Sequence, residues 1–278
     1  MATQADRIRE YYAQLITANG GTTDERLIAA FAATPREQFT GAGPWQVFAV
    51  AGLKYIETPS ADLAYLYQDV LIGLAPERGI NNGAPSLHAR CLAALEPAPG
   101  ETALHIGAGT GYYSAILAEL VGSSGSVVAY EIEEDLAASA VRNLRALPNV
   151  SVRSRSGTAE PLPPADIIYV NAGATHPPEA WLDSLELGGR LLFPLTPAVG
   201  LGGMLLVTRR AARDFAARFI SLAQFIPCIG ARDEESSRRL ANAFRTRSPF
   251  SVQSLRRATP PDGTCWYAGT GWWLSTAA

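Results

Sequence analysis

The most informative stretch of this chain is Ala103-Leu104-His105-Ile106-Gly107-Ala108-Gly109-Thr110-Gly111-Tyr112. An apolar strand runs into three glycines at alternate positions, and a helical segment follows. Glycine lets a backbone turn sharply and approach a ligand closely. A second apolar strand, 126–130, ends on Glu131, twenty residues after Gly111. An acid at that place can accept both hydroxyl groups of a ribose, so the pattern predicts a nucleoside at the carboxyl end of a parallel sheet.

The glycine spacing separates two kinds of nucleotide-binding loop. Dinucleotide folds usually carry G-x-G-x-x-G, with a pyrophosphate on the helix N-terminus. Here Gly107, Gly109 and Gly111 form G-x-G-x-G, and the ring of Tyr112 would crowd a pyrophosphate. This form resembles the cofactor loop of class I S-adenosylmethionine-dependent methyltransferases. A nicotinamide dehydrogenase is less favoured, also because no second nucleotide-binding half is visible.

Composition excludes several classes of protein. The chain has 278 residues, 47% hydrophobic and 18% charged, which fits one α/β domain with additions or two small domains. A net charge of −3 provides no field that would attract nucleic acid or acidic lipid. The three cysteines lie far apart, so we expect neither disulfides nor a metal site. No signal peptide or membrane span is visible, and a cytoplasmic location is expected.

The spacing of apolar residues predicts the order of elements. Two helices over 4–19 and 23–33 precede a long irregular region over 40–85. From residue 86 strands and helices alternate, with strands at 103–106, 126–131, 149–153, 165–170 and 189–194, and helices at 86–95, 112–121, 134–146 and 178–186. Alternation implies a parallel sheet with helices on both faces. Beyond residue 197 the pattern predicts antiparallel strands over 204–210 and 215–226, an amphipathic helix over 233–247 and a closing strand or pair over 265–274.

These elements predict an α/β fold, and the resemblance of the glycine loop implies the Rossmann-like sheet of the class I methyltransferases. The sheet is expected to be mostly parallel, with an antiparallel C-terminal part. Three regions are expected: N-terminal helices and an aromatic-rich cap over 1–85, an S-adenosylmethionine-binding domain over 86–230, and a C-terminal extension over 231–278. The aromatic residues at 266, 267, 272 and 273 are expected in the core or in an interface, which leaves a homodimer open.

Seven motifs between about residues 35 and 230 occur in a fixed order. They are Pro35-Arg36-x-x-Phe39, Tyr67-x-Asp69, Ala84-Pro85-x-x-His88-Ala89, the glycine loop, Val170-Asn171-Ala172-Gly173-Ala174, Gly188-Gly189-x-Leu191-x-x-Pro194 and Phe225-Ile226-Pro227-Cys228. Together they resemble the protein-L-isoaspartate O-methyltransferases. The resemblance implies S-adenosyl-L-methionine as cofactor and a peptide, protein or small-molecule carboxylate as methyl acceptor, with no nucleic acid and no membrane as partner.

The resemblance also assigns site residues and shows where this chain departs from the family. It implies that positions 83 and 88 belong to the catalytic centre, but the usual serine is Gly83 here. Restoring serine is expected to raise isoaspartyl activity if the backbone tolerates a side chain. The acid that usually ends the first strand is His105, and Ser156 replaces the aspartate of Gly-Asp-Gly. The expected cofactor-binding residues are His105, Gly107, Ala108, Gly109, Thr110, Gly111, Tyr112, Glu131, Ile132, Ser156, Gly157 and Asn171.

The acceptor decides whether a general base is needed. A carboxylate with a pKa near ~4 is already ionised at neutral pH, so orientation and exclusion of water suffice. A hydroxyl or amine acceptor would need a proton acceptor, for which His88 and His176 are candidates. His88 lies on a mostly apolar helix and is at least as well explained as a core histidine.

Two further interpretations stay open at this point. A nucleic-acid methyltransferase is disfavoured, because strand four ends in Asn171-Ala172-Gly173-Ala174 where base-methylating enzymes carry Asn/Asp-Pro-Pro-aromatic. The chain also has no basic stripe. A non-catalytic cofactor-binding protein remains compatible with the replacements at Gly83 and Ser156.

Overall fold

The computed structural model describes residues 2–158 and 161–278. The described chain divides into two compact units, which are presented separately below. The first unit consists of Met1–Gly100 and Ala108–Arg155, and the second of Glu101–Gly107 and Ser156–Ala278. The glycine loop is the point at which the chain passes from the second unit back to the first. The three sequence regions predicted above stay a prediction.

The elements follow the predicted order. The helices are α1 Gln4–Gly20, α2 Glu25–Ala33, α3 Glu37–Thr40, α4 Leu63–Leu66, α5 Pro85–Leu95, α6 Tyr112–Val121, α7 Glu134–Leu144, α8 Glu179–Ser184 and α9 Glu234–Thr246. The strands are β1 Gln46–Ala49, β2 Lys54–Glu57, β3 Gly73–Ala75, β4 Ile80–Asn81, β5 Thr102–Ile106, β6 Ser126–Glu131, β7 Val150–Ser154, β8 Ala165–Val170, β9 Leu185–Leu195, β10 Gly202–Arg209, β11 Asp214–Ala223, β12 Ser254–Arg257, β13 Cys265–Ala268 and β14 Trp272–Ser275.

Local sequence explains where the first helices begin and end. Thr3 and Asp6 form a reciprocal capping box at the start of α1, and Gly21 ends it with φ +77°. Asp24 caps the start of α2, because its carboxylate accepts hydrogen bonds from the amides of the first turn.

The second unit is built on a mixed sheet. Its strand order is β13-β14-β12-β11-β10-β9-β8-β5. The pairs β5–β8 and β8–β9 are parallel, and every later pair is antiparallel. This confirms the predicted α/β class with an antiparallel C-terminal part. The antiparallel part is longer than expected, because Ser254–Arg257 adds a strand and the predicted closing segment forms the pair β13–β14.

The tail aromatics lie inside the second unit. Trp266, Tyr267, Trp272 and Trp273 are each at most 7% exposed. The Trp266 ring packs against Phe219 and Phe244, with centroids 5.5 and 5.2 Å away. These residues are therefore core residues, and a homodimer stays a prediction.

The first unit contains the parallel pair β6–β7 and short elements in the region predicted as irregular. This region contains two hairpins, β1–β2 and β3–β4. Arg36 holds it in place from inside the core, where the side chain is 0% exposed. Its guanidinium donates to the carbonyls of Leu66, Gln68 and Val70 at 2.6–3.0 Å. One buried arginine thus fixes the segment that leads into the β3–β4 hairpin.

Two searches of the described chain bear on partners. No helix among the described residues is long and apolar enough to cross a membrane. Those residues also contain no cluster of three or more histidine, cysteine or acidic side chains that could hold a metal ion.

Candidate functional site

The glycine loop adopts a conformation that needs glycine. The φ angles are +75° at Gly107, +57° at Gly109 and +99° at Gly111. Residues other than glycine rarely adopt such backbone angles. The turn is closed by a hydrogen bond from the Gly111 amide to the Ala108 carbonyl (2.9 Å), and Gly111 is the N-cap residue directly before α6. The loop therefore presents bare backbone at the start of a helix.

Glu131 is joined directly to this loop. One carboxylate oxygen accepts from the Gly109 amide at 2.6 Å, and the other accepts from the Glu133 amide at 2.9 Å. The side chain is only 6% exposed, and this burial raises the pKa of Glu131. The hydrogen bonds that the carboxylate accepts from backbone amides act in the opposite direction. A carboxylate has about four acceptor positions. Capacity therefore remains for the two hydroxyl groups of a ribose.

Other predicted cofactor residues of the first unit contribute differently. Ile132 leaves an apolar side chain 41% exposed beside Glu131, which suits contact with the face of a base. The Thr110 hydroxyl instead donates to the Phe39 carbonyl at 2.5 Å. The Tyr112 ring, 3% exposed, packs against the Phe39 ring with centroids 5.6 Å apart. Thr110 and Tyr112 therefore shape the loop through the core, and their backbone is what faces a ligand.

In the second unit, His105 and Asn171 come together at the ends of β5 and β8. The His105 Nε2 and the Asn171 Nδ2 are 2.7 Å apart. His105 is 0% exposed, and burial lowers its pKa to about 3. The imidazole is neutral, and because the Asn171 NH2 group can only donate, Nε2 is the acceptor of this hydrogen bond. A Cβ at Gly107 would lie 3.4 Å from the Asn171 carbonyl carbon, so the loop starts against this pair.

Ser156 and Gly157 also lie in the second unit. The Ser156 Oγ is 2.7 Å from the Thr158 hydroxyl and accepts from the Thr158 amide at 3.2 Å. A Cβ at Gly157 would lie 2.8 Å from the Ile106 side chain. Glycine is therefore required because the chain passes close to the end of β5, next to the start of the glycine loop.

The backbone of Gly83 lies directly against the His88 ring. Gly83 has φ +74°, and its amide donates to the Asn81 Oδ1 at 2.9 Å. A Cβ at this position would lie 2.1 Å from the His88 Nε2. The His88 ring is 1% exposed and stacked on Tyr113, with centroids 3.7 Å apart. The imidazole thus fills the volume that a serine at 83 would need, and its packing is that of a core histidine.

His176, the other candidate base, is only partly buried. Burial lowers its pKa, and the nearby Asp233 acts in the opposite direction. Its Nδ1 lies 3.3 Å from the Thr175 hydroxyl.

Sequence reasoning missed two residues at the nucleoside side of the first unit. A methyl carbon of Leu74 would lie 3.3 Å from a Cβ at Gly109. Arg78 pairs with Glu133 and Asp135, both at 2.6 Å. Both residues belong to the β3–β4 hairpin. No motif marks them, since a short hairpin in an irregular region carries no periodic signal.

The loop, the acid and the sheet define a class I S-adenosylmethionine-dependent methyltransferase, an enzyme. Residues 10–233 match the sequence model of the protein-L-isoaspartate(D-aspartate) O-methyltransferase family, and the chain belongs to that family. The protein-L-isoaspartate O-methyltransferase 1 of Rhodopseudomonas palustris (strain HaA2) is 31% identical over 231 residues, covering 82% of this chain and 84% of the relative.

Solved structures agree on the fold. A protein-L-isoaspartate O-methyltransferase has a TM-score of 0.66 at 24% identity, covering 85% of this chain and 68% of that one. A putative protein-L-isoaspartate O-methyltransferase from Plasmodium falciparum, solved with S-adenosyl-L-homocysteine, has a TM-score of 0.63 at 17% identity. That likeness covers 79% of this chain and 97% of the other.

The residues of the first unit fit the nucleoside part of S-adenosyl-L-methionine. A buried carboxylate with free acceptor capacity lies on a bare glycine loop, and an exposed isoleucine follows it. Glu131 would hold the ribose, and Gly109 would allow close approach of the backbone. When bound, the cofactor supplies an electrophilic methyl group.

Proposed function

We propose that this chain methylates the free carboxylate of isoaspartyl residues in peptides and proteins. The observation that carries the donor side is the hydrogen bond from the Gly109 amide to the Glu131 carboxylate, which joins loop and acid into one nucleoside cradle. The acceptor side is supported by family membership over residues 10–233 and by relatives whose names specify protein-L-isoaspartate.

The chemistry of the described residues favours a carboxylate over a hydroxyl or an amine. Methyl transfer is an in-line displacement, in which the protein mainly orients the reactants and excludes water. A carboxylate is ionised at neutral pH and needs no base. His105 already accepts from Asn171 and has a pKa lowered to about 3, and His88 is stacked in the core. These two histidines are therefore poorly suited to act as a base.

A carboxylate in a specialised peptide or small molecule is the second candidate acceptor. The observation that favours it is at Gly83, where His88 occupies the volume that a side chain would need. Because the His88 imidazole is itself buried, acceptor contacts at position 83 are left to the backbone. An acceptor site that lacks a side chain at position 83 can prefer the carboxylate of a specialised peptide or small molecule over that of an isoaspartyl residue.

The proposal is tested on a protein aged to accumulate isoaspartyl sites. Labelled S-adenosyl-L-methionine should transfer methyl groups to the aged protein and not to a fresh sample. Mild base should release the label, because a carboxyl methyl ester is base-labile. An isoaspartyl peptide should compete, and its aspartyl twin should not. Equal labelling of fresh and aged protein, or base-stable label, would overturn the proposal.

A further inference from the structure

The β3–β4 hairpin, Gly73–Asn81, has a fixed base. Below the hairpin, the Asn82 amide donates to the Ile72 carbonyl at 3.0 Å, and the Ile72 amide donates to the Asn82 Oδ1 at 2.8 Å. Ile72 also forms a bridge with Val47 of β1. The tip is a short turn over Pro76–Arg78, closed by Gly79. The base is therefore secured by a backbone hydrogen bond, by a hydrogen bond to the Asn82 side chain and by the bridge to β1.

Two side chains fasten the rest of the hairpin. Leu74 lies against Gly109 of the glycine loop. Arg78 donates to the Glu133 Oε2 at 2.6 Å and to both carboxylate oxygens of Asp135 at 2.6 and 3.1 Å. The bond to Asp135 is two-pronged, which gives it directional specificity as well as charge attraction.

Leu74 and Arg78 each contact a residue whose backbone amide is hydrogen-bonded to Glu131. Its carboxylate accepts from two amides, those of Gly109 and Glu133. Leu74 contacts the first of these residues, and Arg78 pairs with the second. The hairpin is thus attached on both sides of the acid that would hold the ribose. The hairpin therefore borders the place at which Glu131 would hold a nucleoside.

We propose that the Gly73–Asn81 hairpin covers the nucleoside part of the cofactor site and that Arg78 is the positioning residue that holds it closed. The proposal rests on S-adenosylmethionine binding at the glycine loop and not on the identity of the acceptor. In this proposal Arg78 acts through its pairs with Glu133 and Asp135. Its side chain is 35% exposed, so dissolved salt can screen the pairs.

Release of S-adenosyl-L-homocysteine from the whole 278-residue chain tests this inference. Labelled S-adenosyl-L-homocysteine is bound without any acceptor, chased with unlabelled ligand and followed by rapid filtration. Arg78→Gln should release the ligand roughly 3- to 10-fold faster than wild type, since exposed ion pairs are individually weak and affinity changes fall mainly on dissociation. Arg78→Lys should restore part of the difference. Arg142→Gln, which removes an exposed arginine from the same helix that Arg78 meets, is the matched control.

Two further readouts separate positioning from general stability. Adding Asp135→Asn to Arg78→Gln should accelerate release little further, because both changes break the same pair. Raising the salt concentration should accelerate release from wild type and leave Arg78→Gln almost unchanged. Thermal midpoints should stay close to that of wild type.

Several outcomes would overturn the inference. Wild-type release rates in Arg78→Gln would do so, as would an equal acceleration in Arg142→Gln or the same salt response in both proteins. Failure of isoaspartyl methylation with normal ligand release would overturn the proposed acceptor and leave the hairpin proposal standing. Absence of ligand binding by wild type would overturn the hairpin proposal.

Discussion

The amide of Gly109 donates a 2.6 Å hydrogen bond to the carboxylate of Glu131, across twenty-two positions of sequence. The bond ties the loop after β5 to the end of β6. Because the acid is almost fully buried, its charge is held by backbone amides and not by solvent. The geometry of the loop and the position of the acid therefore depend on each other.

Replacing Glu131 by glutamine should weaken S-adenosyl-L-homocysteine binding by about 1–3 kcal/mol. The variant loses a charged acceptor, and its NH2 group must face an amide that also donates. Calorimetric titration gives the dissociation constant. Glu134→Gln, an exposed acid three residues along the chain, is the control and should bind like wild type. An unchanged dissociation constant in folded Glu131→Gln would show that the acid does not hold the nucleoside.

Gly83→Ser should destabilise the protein by about 2–5 kcal/mol, because a positive φ and an overlap with His88 both add cost. The sequence-based expectation of higher activity required a backbone that tolerates a side chain, and the φ of +74° together with the position of His88 argues against that condition. Gly79 is a matched control, since its φ is +71° and a Cβ there would meet nothing within 4 Å. Gly79→Ser should cost only about 1–2 kcal/mol in urea unfolding. Equal costs for the two variants, or higher isoaspartyl turnover in Gly83→Ser, would contradict the assigned role of His88.

His105 should make stability depend on pH. Its pKa is lowered to about 3 in the folded protein, and an unfolded histidine titrates near ~6.5. Between these values the unfolded chain binds a proton that the native state does not, so stability falls as the pH falls. The contribution is about 1.4 kcal/mol per pH unit.

Urea unfolding of His105→Gln measures that contribution. Glutamine keeps an acceptor for the Asn171 amide but does not titrate. The free energy of unfolding should therefore decline less steeply below pH ~6 in the variant than in wild type. Parallel pH profiles would show that folding does not lower the pKa of His105.

Arg36→Lys should cost about 1.5–3 kcal/mol, the typical value of a hydrogen bond to a charged group. The lysine ammonium is a point charge and cannot reproduce the planar fork that reaches three carbonyls. Arg7→Lys, on the exposed side of α1, should leave the free energy of unfolding nearly unchanged. A small loss in Arg36→Lys, equal to that in Arg7→Lys, would show that the buried fork is dispensable.

The predicted sheet and loop were accessible from sequence because each left a strong local pattern. Apolar runs at 103–106 and 126–131 became β5 and β6 with nearly the predicted bounds. The glycines after β5 and the acid at the end of β6 could be recognised in the sequence, because a tight turn and a ribose contact each restrict the residue types.

Other features had no such signal. The strand Ser254–Arg257 carries two arginines and alternates weakly, and its pairing with β11 and β14 is a long-range property. The overlap between Gly83 and His88 depends on a rotamer and on the stacked Tyr113 ring. The attachment of Arg78 to α7 joins residues more than fifty positions apart through exposed charges. Tertiary packing settles these points, and local periodicity does not reveal them.

The most direct test compares kcat/KM for one isoaspartyl peptide and its aspartyl twin, with S-adenosyl-L-methionine as donor. The account predicts measurable turnover of the isoaspartyl peptide and no turnover of the aspartyl twin. It also predicts that Glu131→Gln lowers kcat/KM for the isoaspartyl peptide, in line with its weaker cofactor binding. Cofactor binding without transfer to the isoaspartyl peptide, or equal turnover of both peptides, would contradict it.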